Sequence, residues 1–77
     1  MRNDTVVSLW SRGMSGQAGN LSSRDGMLYS YNLLIGYIEN GKPHVYNYRS
    51  GGNYISQTTS CHVGLALRAG AILVEVD

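Results

Sequence analysis

The sequence predicts an α+β domain in which a small antiparallel sheet of about four to five strands carries one helix on one face. Three observations support this fold class. Several segments are rich in β-forming residues, the pair Asn40-Gly41 separates two of them, and residues 61–69 show helical spacing. With 77 residues, the chain is expected to form a single small domain over residues 1–77.

The N-terminal third is interpreted as a strand followed by a loop. Residues 4–10 (DTVVSLW) are rich in β-branched and aromatic side chains and predict a first strand. Residues 11–26 are rich in glycine and serine, have almost no apolar anchors, and predict a long loop. The loop ends in Asp25-Gly26, which is typical of a tight turn.

Residues 27–39 and 42–49 predict a long β-hairpin. The Asn-Gly pair between them favours a type I′ turn, which sets Glu39 opposite Lys42. Alternation then divides the side chains of the hairpin between two faces. One face is rich in tyrosine and carries Tyr29, Tyr31, Leu33, Ile35, Tyr37, His44, Tyr46 and Tyr48. The other face is mainly apolar and carries Leu28, Leu34, Gly36, Ile38, Val45, Asn47 and Arg49. The sequence leaves open which face the helix covers.

The C-terminal third predicts a short fourth strand over residues 54–57, then the helix, then a last strand over residues 71–76. Three hydroxyl residues before the helix offer N-caps, and Gly70 is its C-cap. Gly64 inside the helix costs about 1 kcal/mol relative to alanine, which suggests that the helix packs closely on the sheet at this point.

Composition and charge exclude several classes of protein. The chain is 43% hydrophobic and 14% charged, which excludes a disordered protein. Its net charge of +1 excludes a polyanionic nucleic-acid mimic and a strongly basic duplex binder. Cys61 is the single cysteine, so a disulfide scaffold is excluded and the reducing cytoplasm is expected. We expect neither a signal peptide nor a membrane span, because no apolar run is long enough.

The inventory of catalytic side chains is thin. Two histidines and one cysteine lack the spacing of a metal site. Cys61 and His62 are adjacent, but adjacent side chains on a helix point about 100° apart and do not form a nucleophile–base pair. His62 is expected at the rim of the core. We therefore predict that the chain is not an enzyme and uses neither a metal nor a cofactor.

A sheet with two apolar faces and a single helix indicates a binding protein, because one face is left for a partner. A domain of this size buries only about 60% of its unfolded surface, which leaves stabilisation by a partner protein and by a homodimer both open. The anchors predicted for a protein partner are arginines and aromatic residues: Trp10, Arg12, Arg24, Tyr48, Arg49 and Tyr54.

An alternative is a module that binds single-stranded nucleic acid or a nucleotide-like ligand. Tyrosines on a sheet can stack bases, although the positive charge available for phosphates is sparse. Hydroxyl residues at a helix N-terminus suit an anion. The contacts predicted for this alternative are Tyr29, Tyr31, Lys42, Tyr46, Thr58, Thr59, Ser60 and His62.

Short motifs also carry a resemblance: LYSY at residues 28–31, LIG at residues 34–36, an Asn-Gly turn, and TTSCHV at residues 58–63. With them the chain resembles a poorly characterised family of short phage and prophage proteins. The resemblance implies an accessory protein of a mobile element in the cytoplasm of a bacterial host cell, and it carries over no catalytic residue. Small phage proteins of this type often bind host machinery, including defence complexes such as CRISPR effectors, so an anti-CRISPR-like inhibitor is implied.

Overall fold

The structure is a computed structural model, and it describes residues 2–48 and 57–75. Within these residues the chain forms two helices and six strands, which confirms the α+β class. The helices are α1 (Asn3–Ser11) and α2 (Gln57–Arg68). The strands are β1 (Gly16–Ala18), β2 (Leu21–Arg24), β3 (Met27–Ser30), β4 (Leu33–Glu39), β5 (Lys42–Tyr46) and β6 (Ile72–Val74).

The six strands form one mixed sheet in the order β1-β2-β3-β4-β5-β6. Strands β1 to β5 are antiparallel to their neighbours, whereas β6 pairs with β5 in parallel. A parallel neighbour needs a long crossover connection, and α2 lies in that connection. The predicted number of strands, the purely antiparallel sheet and the single helix are therefore wrong. Of the strand predicted over residues 54–57, only Gln57 is described, and it begins α2.

Residues 4–10, predicted as a strand, lie in helix α1. Val6, Val7 and Trp10 fall on one face of this helix, and all three are buried. The strand prediction fails because the β-propensity of two valines is a weak preference that tertiary packing overrides. The helix ends where Gly13 adopts a φ of 78° and donates its N–H to the Trp10 carbonyl (2.8 Å).

Residues 11–26, predicted as a loop, contain strands β1 and β2. Ala18 and Leu21 flank the turn between these strands and belong to the hydrophobic core. Ser23 is also buried, and its hydroxyl donates to the Met14 carbonyl (2.8 Å). These strands escape prediction because serine and glycine stand where alternating apolar residues would indicate a strand.

Two tight turns confirm the sequence interpretation. Asp25-Gly26 joins β2 to β3 with φ values of 54° and 81°, and Asn40-Gly41 joins β4 to β5 with φ values of 55° and 75°. A positive φ at both central residues is the geometry of a type I′ turn. Across the second turn, Glu39 lies opposite Lys42, as predicted.

Residues 27–39, predicted as one strand, are divided into β3 and β4 by a turn at Tyr31-Asn32. Tyr31 has a positive φ of 58°, and its N–H donates to the Asn20 carbonyl (2.6 Å). No glycine marks this turn, so the sequence does not reveal it. The β3–β4 register also shifts, and Tyr29 lies opposite Leu34. Leu34 therefore shares a face with Tyr29, whereas Ile35 is fully buried in the core, so the predicted faces of both residues are wrong.

Helix α2 confirms the helix predicted over residues 61–69, but it begins at Gln57. The predicted N-caps at residues 58–60 therefore lie inside its first turn. After the helix, Gly70 adopts a φ of 97° and donates its N–H to the Leu67 carbonyl (3.1 Å), as expected of a C-cap.

Both helices lie on the same face of the sheet. On this face Leu28 lies opposite Gly36, and the Trp10 ring of α1 packs over Gly36. Ser30 lies two residues from Leu28, hence on the same face, and forms a hydrogen bond with His62 of α2 (2.7 Å). The helices therefore cover the face of Leu28 and Gly36, which settles the choice that the sequence left open.

Gly36 and Gly64 provide opposite tests of this packing. A Cβ at Gly36 would lie 2.8 Å from Trp10 Cζ2, so we expect Gly36→Ala to lower the free energy of unfolding by about 1–3 kcal/mol. A Cβ at Gly64 would meet no described atom within 4 Å, so the predicted close packing there is absent. We expect Gly64→Ala to raise the free energy of unfolding by about 1 kcal/mol. Urea denaturation measures both changes, and equal stability of the two variants would contradict this account.

Candidate functional site

The face of the sheet opposite the two helices is covered by no helix of the described residues, and we call it the open face. Strand register places two rows of side chains on this face. The row from β1 to β4 consists of Gln17, Ser22, Tyr29 and Leu34. The row from β4 to β6 consists of Tyr37, His44 and Ile72. By alternation along the strands, Arg24, Lys42 and Tyr46 lie on the same face. The open face is therefore rich in aromatic residues and poor in charge.

Four neighbouring rings, which we call the aromatic row, make contact in sequence: His44, Tyr37, Tyr46 and Tyr48. The rings of Tyr37 and His44 are parallel within 2°, with their centroids 5.0 Å apart. The ring of Tyr46 is tilted by 47° against Tyr37 at 5.6 Å and by 48° against Tyr48 at 5.7 Å. Aromatic pairs attract one another at these separations, so the row is an ordered surface before any partner binds.

The ring geometry determines which parts of the aromatic row a partner can touch. Parallel rings at 5.0 Å are offset-stacked, so Tyr37 and His44 each cover one π face of the other. The tilted contacts of Tyr46 cover further ring surface. Ring edges, tyrosine hydroxyl groups and the remaining ring faces are left for a partner, and this mixed surface suits a protein better than a continuous stack of bases.

The charges of the open face are few. Lys42 lies directly opposite Glu39 at the end of the β4–β5 hairpin, where opposite charges attract across the strands. Arg24 places its guanidinium carbon 5.4 Å from the centre of the Tyr29 ring, a cation–π contact. Over the described part of the chain, this face therefore presents no cluster of cations for a phosphate backbone.

Trp10, predicted as an anchor for a partner, is a core residue. Its side chain is fully buried, and its indole N–H donates to the Gly26 carbonyl (2.9 Å). The ring also fills the space above Gly36. An aromatic side chain held in this way stabilises the fold and offers no surface to a partner.

The other residues predicted to bind a protein partner do not form one surface. Arg12 caps the end of α1 and donates to the Ser8 hydroxyl (3.2 Å), so it belongs to the helical layer. Arg24 lies on the open face, and the ring of Tyr48, which ends the aromatic row, is partly buried against the hydrophobic core. Two members of the predicted set lie outside the described residues: Arg49 and Tyr54.

The contacts predicted for a nucleic acid or a nucleotide fall into two groups. The first group lies on the sheet. Tyr31 occupies the β3–β4 turn, and 49% of its surface is exposed. The other three members lie on the open face: Tyr29, Lys42 and Tyr46. The second group lies on α2, where Thr58 is exposed and Ser60 is half-buried. Thr59 and His62 are buried between α2 and the sheet, so these four α2 residues do not line one accessible site.

A buried polar cluster joins α2 to β3. The Ser30 hydroxyl lies 2.7 Å from His62 Nδ1 and 3.0 Å from Thr59 Oγ1, and all three residues are buried. The Asn3 amide of α1 lies 3.4 Å from His62 Nε2. Both ring nitrogens of His62 therefore have a hydrogen-bond partner, one on β3 and one on α1.

This cluster contains a serine and a histidine at hydrogen-bond distance, but it is not arranged as a catalytic pair. A serine nucleophile must be reached by its substrate, whereas Ser30 is fully buried. The cluster therefore acts as a specific connection between helix and sheet, since a shift of α2 would leave buried polar groups without partners.

Sequence reasoning misses this cluster and expects His62 at the rim of the core. Two signals could have found it. Alternation along β3 puts Ser30 on the same face as Leu28, and helical spacing puts Thr59 and His62 on the same face of α2 as the buried Ala66. What the sequence does not give is the position at which α2 crosses β3.

Other site types have little support in the part of the chain that is described. No three histidine, cysteine, aspartate or glutamate side chains among residues 2–48 and 57–75 come together as metal ligands. Cys61 is exposed and has no disulfide partner. Neither of the described helices is long and apolar enough to cross a membrane.

The buried cluster predicts a pH dependence of stability. Burial lowers the pKa of His62 below its ordinary value of 6.5, so the unfolded chain takes up a proton that the folded chain does not. We expect the free energy of unfolding to fall as the pH is lowered from about 7.5 to about 5. Urea denaturation over this range measures the slope.

The variant His62→Gln removes the titrating group, so it is expected to be less stable but to lose most of this slope. His44→Gln is the matched control, because His44 lies on the open face, and it is expected to keep the slope. A wild-type slope in His62→Gln would contradict the assignment.

Comparisons with models of protein families, with curated proteins and with solved structures gave no match.

Proposed function

We propose that this chain is a non-enzymatic phage-type accessory protein that binds a host protein through its open face. The observation that carries the proposal is the aromatic row on a sheet face that no described helix covers. Its place of action is the cytoplasm of a bacterial host cell, and inhibition of a defence complex, in the manner of an anti-CRISPR protein, is the more specific hypothesis. Binding of this kind needs neither a metal nor a cofactor.

The composition of the open face supports a protein interface. Tyrosine and arginine are enriched among the residues that contribute most to protein–protein affinity, because they combine a large contact area with hydrogen-bonding groups. The aromatic row supplies three tyrosines, and Arg24 adds a guanidinium group held over the Tyr29 ring. These rings are already ordered by contact with one another, so little side-chain entropy is lost on binding.

Two observations favour a protein over a single-stranded nucleic acid on the aromatic row. The rings of Tyr37 and His44 stack on each other, so each ring has only one π face left on which a base could stack. Lys42 lies opposite Glu39, which offsets its charge. Nucleic-acid binding to this row is therefore the alternative that a salt titration tests.

A second copy of the chain is a further candidate partner for the open face. The face exposes Ile72 at 46% and Met27 at 41% of their surfaces beside the tyrosines, so self-association would bury apolar area. A homodimer formed through this face would compete with a host protein for the same side chains. The solution mass at several concentrations separates these outcomes.

We expect the double variant Tyr37→Ala/Tyr46→Ala to lower the affinity for a host protein by at least about tenfold, because it removes the centre of the aromatic row. The partner is captured from a bacterial lysate with the wild-type chain, purified, and titrated against both proteins by calorimetry. Arg68→Ala, an exposed change in the helical layer, is the matched control and is expected to bind as the wild type does. Circular dichroism confirms that the variants are folded.

Three results would contradict the proposal. The first is equal affinity of the double variant and the wild type for the purified partner. The second is tight binding of single-stranded oligonucleotides that weakens with salt and requires Tyr37 and Tyr46. The third is a stable dimer in light scattering that the double variant dissociates.

A further inference from the structure

A concave groove of about 930 Å³ lies at the end of the open face formed by β1, β2 and β3. Its volume falls within the range of roughly 300–1,000 Å³ that small-molecule sites occupy. The groove is separate from the aromatic row, since it involves none of that row's residues. Six side chains that line it carry the argument: Gln17, Asn20, Arg24, Tyr29, Tyr31 and Asn32.

The groove is polar, and its described lining contains no acidic side chain. Three amides line it, and an amide both donates and accepts hydrogen bonds. Arg24 is the single cation of this lining. A lining of this kind does not suit a metal ion or a cationic ligand, and one guanidinium is too little charge for a polyphosphate.

Arg24 is positioned for an anion. Its guanidinium carbon lies 5.4 Å from the centre of the Tyr29 ring, which orients the group over the sheet. Arg24 forms no ion pair with a residue of the described ranges. Its neighbour in sequence, Asp25, lies in the β2–β3 turn and does not line the groove. The N–H groups of Arg24 can therefore pair with one phosphate group.

Tyr31 supplies an exposed aromatic ring at the rim of the groove. Its φ of 58° is a conformation that bulky residues rarely adopt, and 49% of its surface is exposed, so burial does not account for the choice of tyrosine. Its backbone N–H is fixed on the Asn20 carbonyl at 2.6 Å, which brings the β1–β2 and β3–β4 turns together. Asn20 and Asn32 lie in these two turns and line the same groove as Tyr31.

We propose that this groove binds one nucleotide with a single phosphate. The base stacks on Tyr31, the amides of Asn20 and Asn32 pair with its polar edge, and Arg24 pairs with the phosphate. The same chemistry is offered by a free nucleoside monophosphate and by the terminal nucleotide of a single strand. This site does not rest on the protein-docking function, because it needs no protein partner and uses none of the aromatic row, although it shares Arg24 and Tyr29 with the rest of the open face.

The test is a titration of the isotope-labelled chain with each of the four 5′-ribonucleoside monophosphates to about 10 mM, followed by nuclear magnetic resonance. We expect at least one of them to shift the side-chain amide signals of Asn20 and Asn32 and the Arg24 Nε–H signal. The matching nucleoside and ribose 5-phosphate each lack one half of the ligand, and each is expected to bind at least about fivefold more weakly.

Two variants distinguish binding from folding. Tyr31→Gly removes the ring at a φ that glycine adopts readily, so it is expected to keep or raise the melting temperature while weakening binding at least about fivefold. Arg24→Met is expected to weaken binding by about tenfold, and Arg68→Met is its matched control with wild-type affinity.

A 5′-phosphorylated trinucleotide separates the two sources of ligand. If it binds at least about tenfold more tightly than the monophosphate at the same groove residues, the ligand is the end of a strand. If the two affinities are similar, the ligand is a free nucleotide. The proposal is overturned if no monophosphate shifts the groove signals, if ribose 5-phosphate binds as tightly as the monophosphates, or if Arg24→Met or Tyr31→Gly retains wild-type affinity.

Discussion

The Trp10 ring of α1 lies over Gly36 of β4, and only the absence of a side chain at Gly36 lets the indole approach the sheet so closely. The indole N–H donates to the Gly26 carbonyl in the turn that leads into β3, so a single side chain connects α1 to two parts of the sheet. Because Gly36 lies opposite Leu28, this contact also determines which face of the sheet becomes the core. The position of every other layer follows from that choice.

The buried cluster of Ser30, Thr59 and His62 connects the second helix to the same face. Hydrophobic contacts alone would allow α2 to slide, whereas three polar groups out of contact with water require one arrangement. With both helices on the Gly36 side, the tyrosines of β4 and β5 stay on the other side. The aromatic row is thus exposed because both helices pack on the Gly36 side of the sheet.

The sequence predicts those parts of the fold that depend on local backbone chemistry. Asn40-Gly41 and Asp25-Gly26 indicate their turns because few residue pairs accept a positive φ twice in succession. It does not predict α1, because Val6 and Val7 favour a strand locally and become helical through the packing of α1 on β1 and β2. It also misses the turn at Tyr31, which is stabilised by a hydrogen bond to Asn20 in another hairpin. The tyrosines of the candidate site are visible in the sequence, whereas their stacking and the groove depend on strand register.

The choice of tyrosine for the open face has a physical reason. The chain has six tyrosines and no phenylalanine, although either ring would supply the same apolar area. A sheet face without a cover must remain in water until a partner arrives, and exposed phenylalanines there would favour non-specific association. The phenol hydroxyl stays hydrated while the ring body packs on its neighbours, as Tyr37 and Tyr46 do. A face built in this way tolerates solvent when it is unoccupied and still offers a large contact area, which is the combination that a reversible binding surface needs.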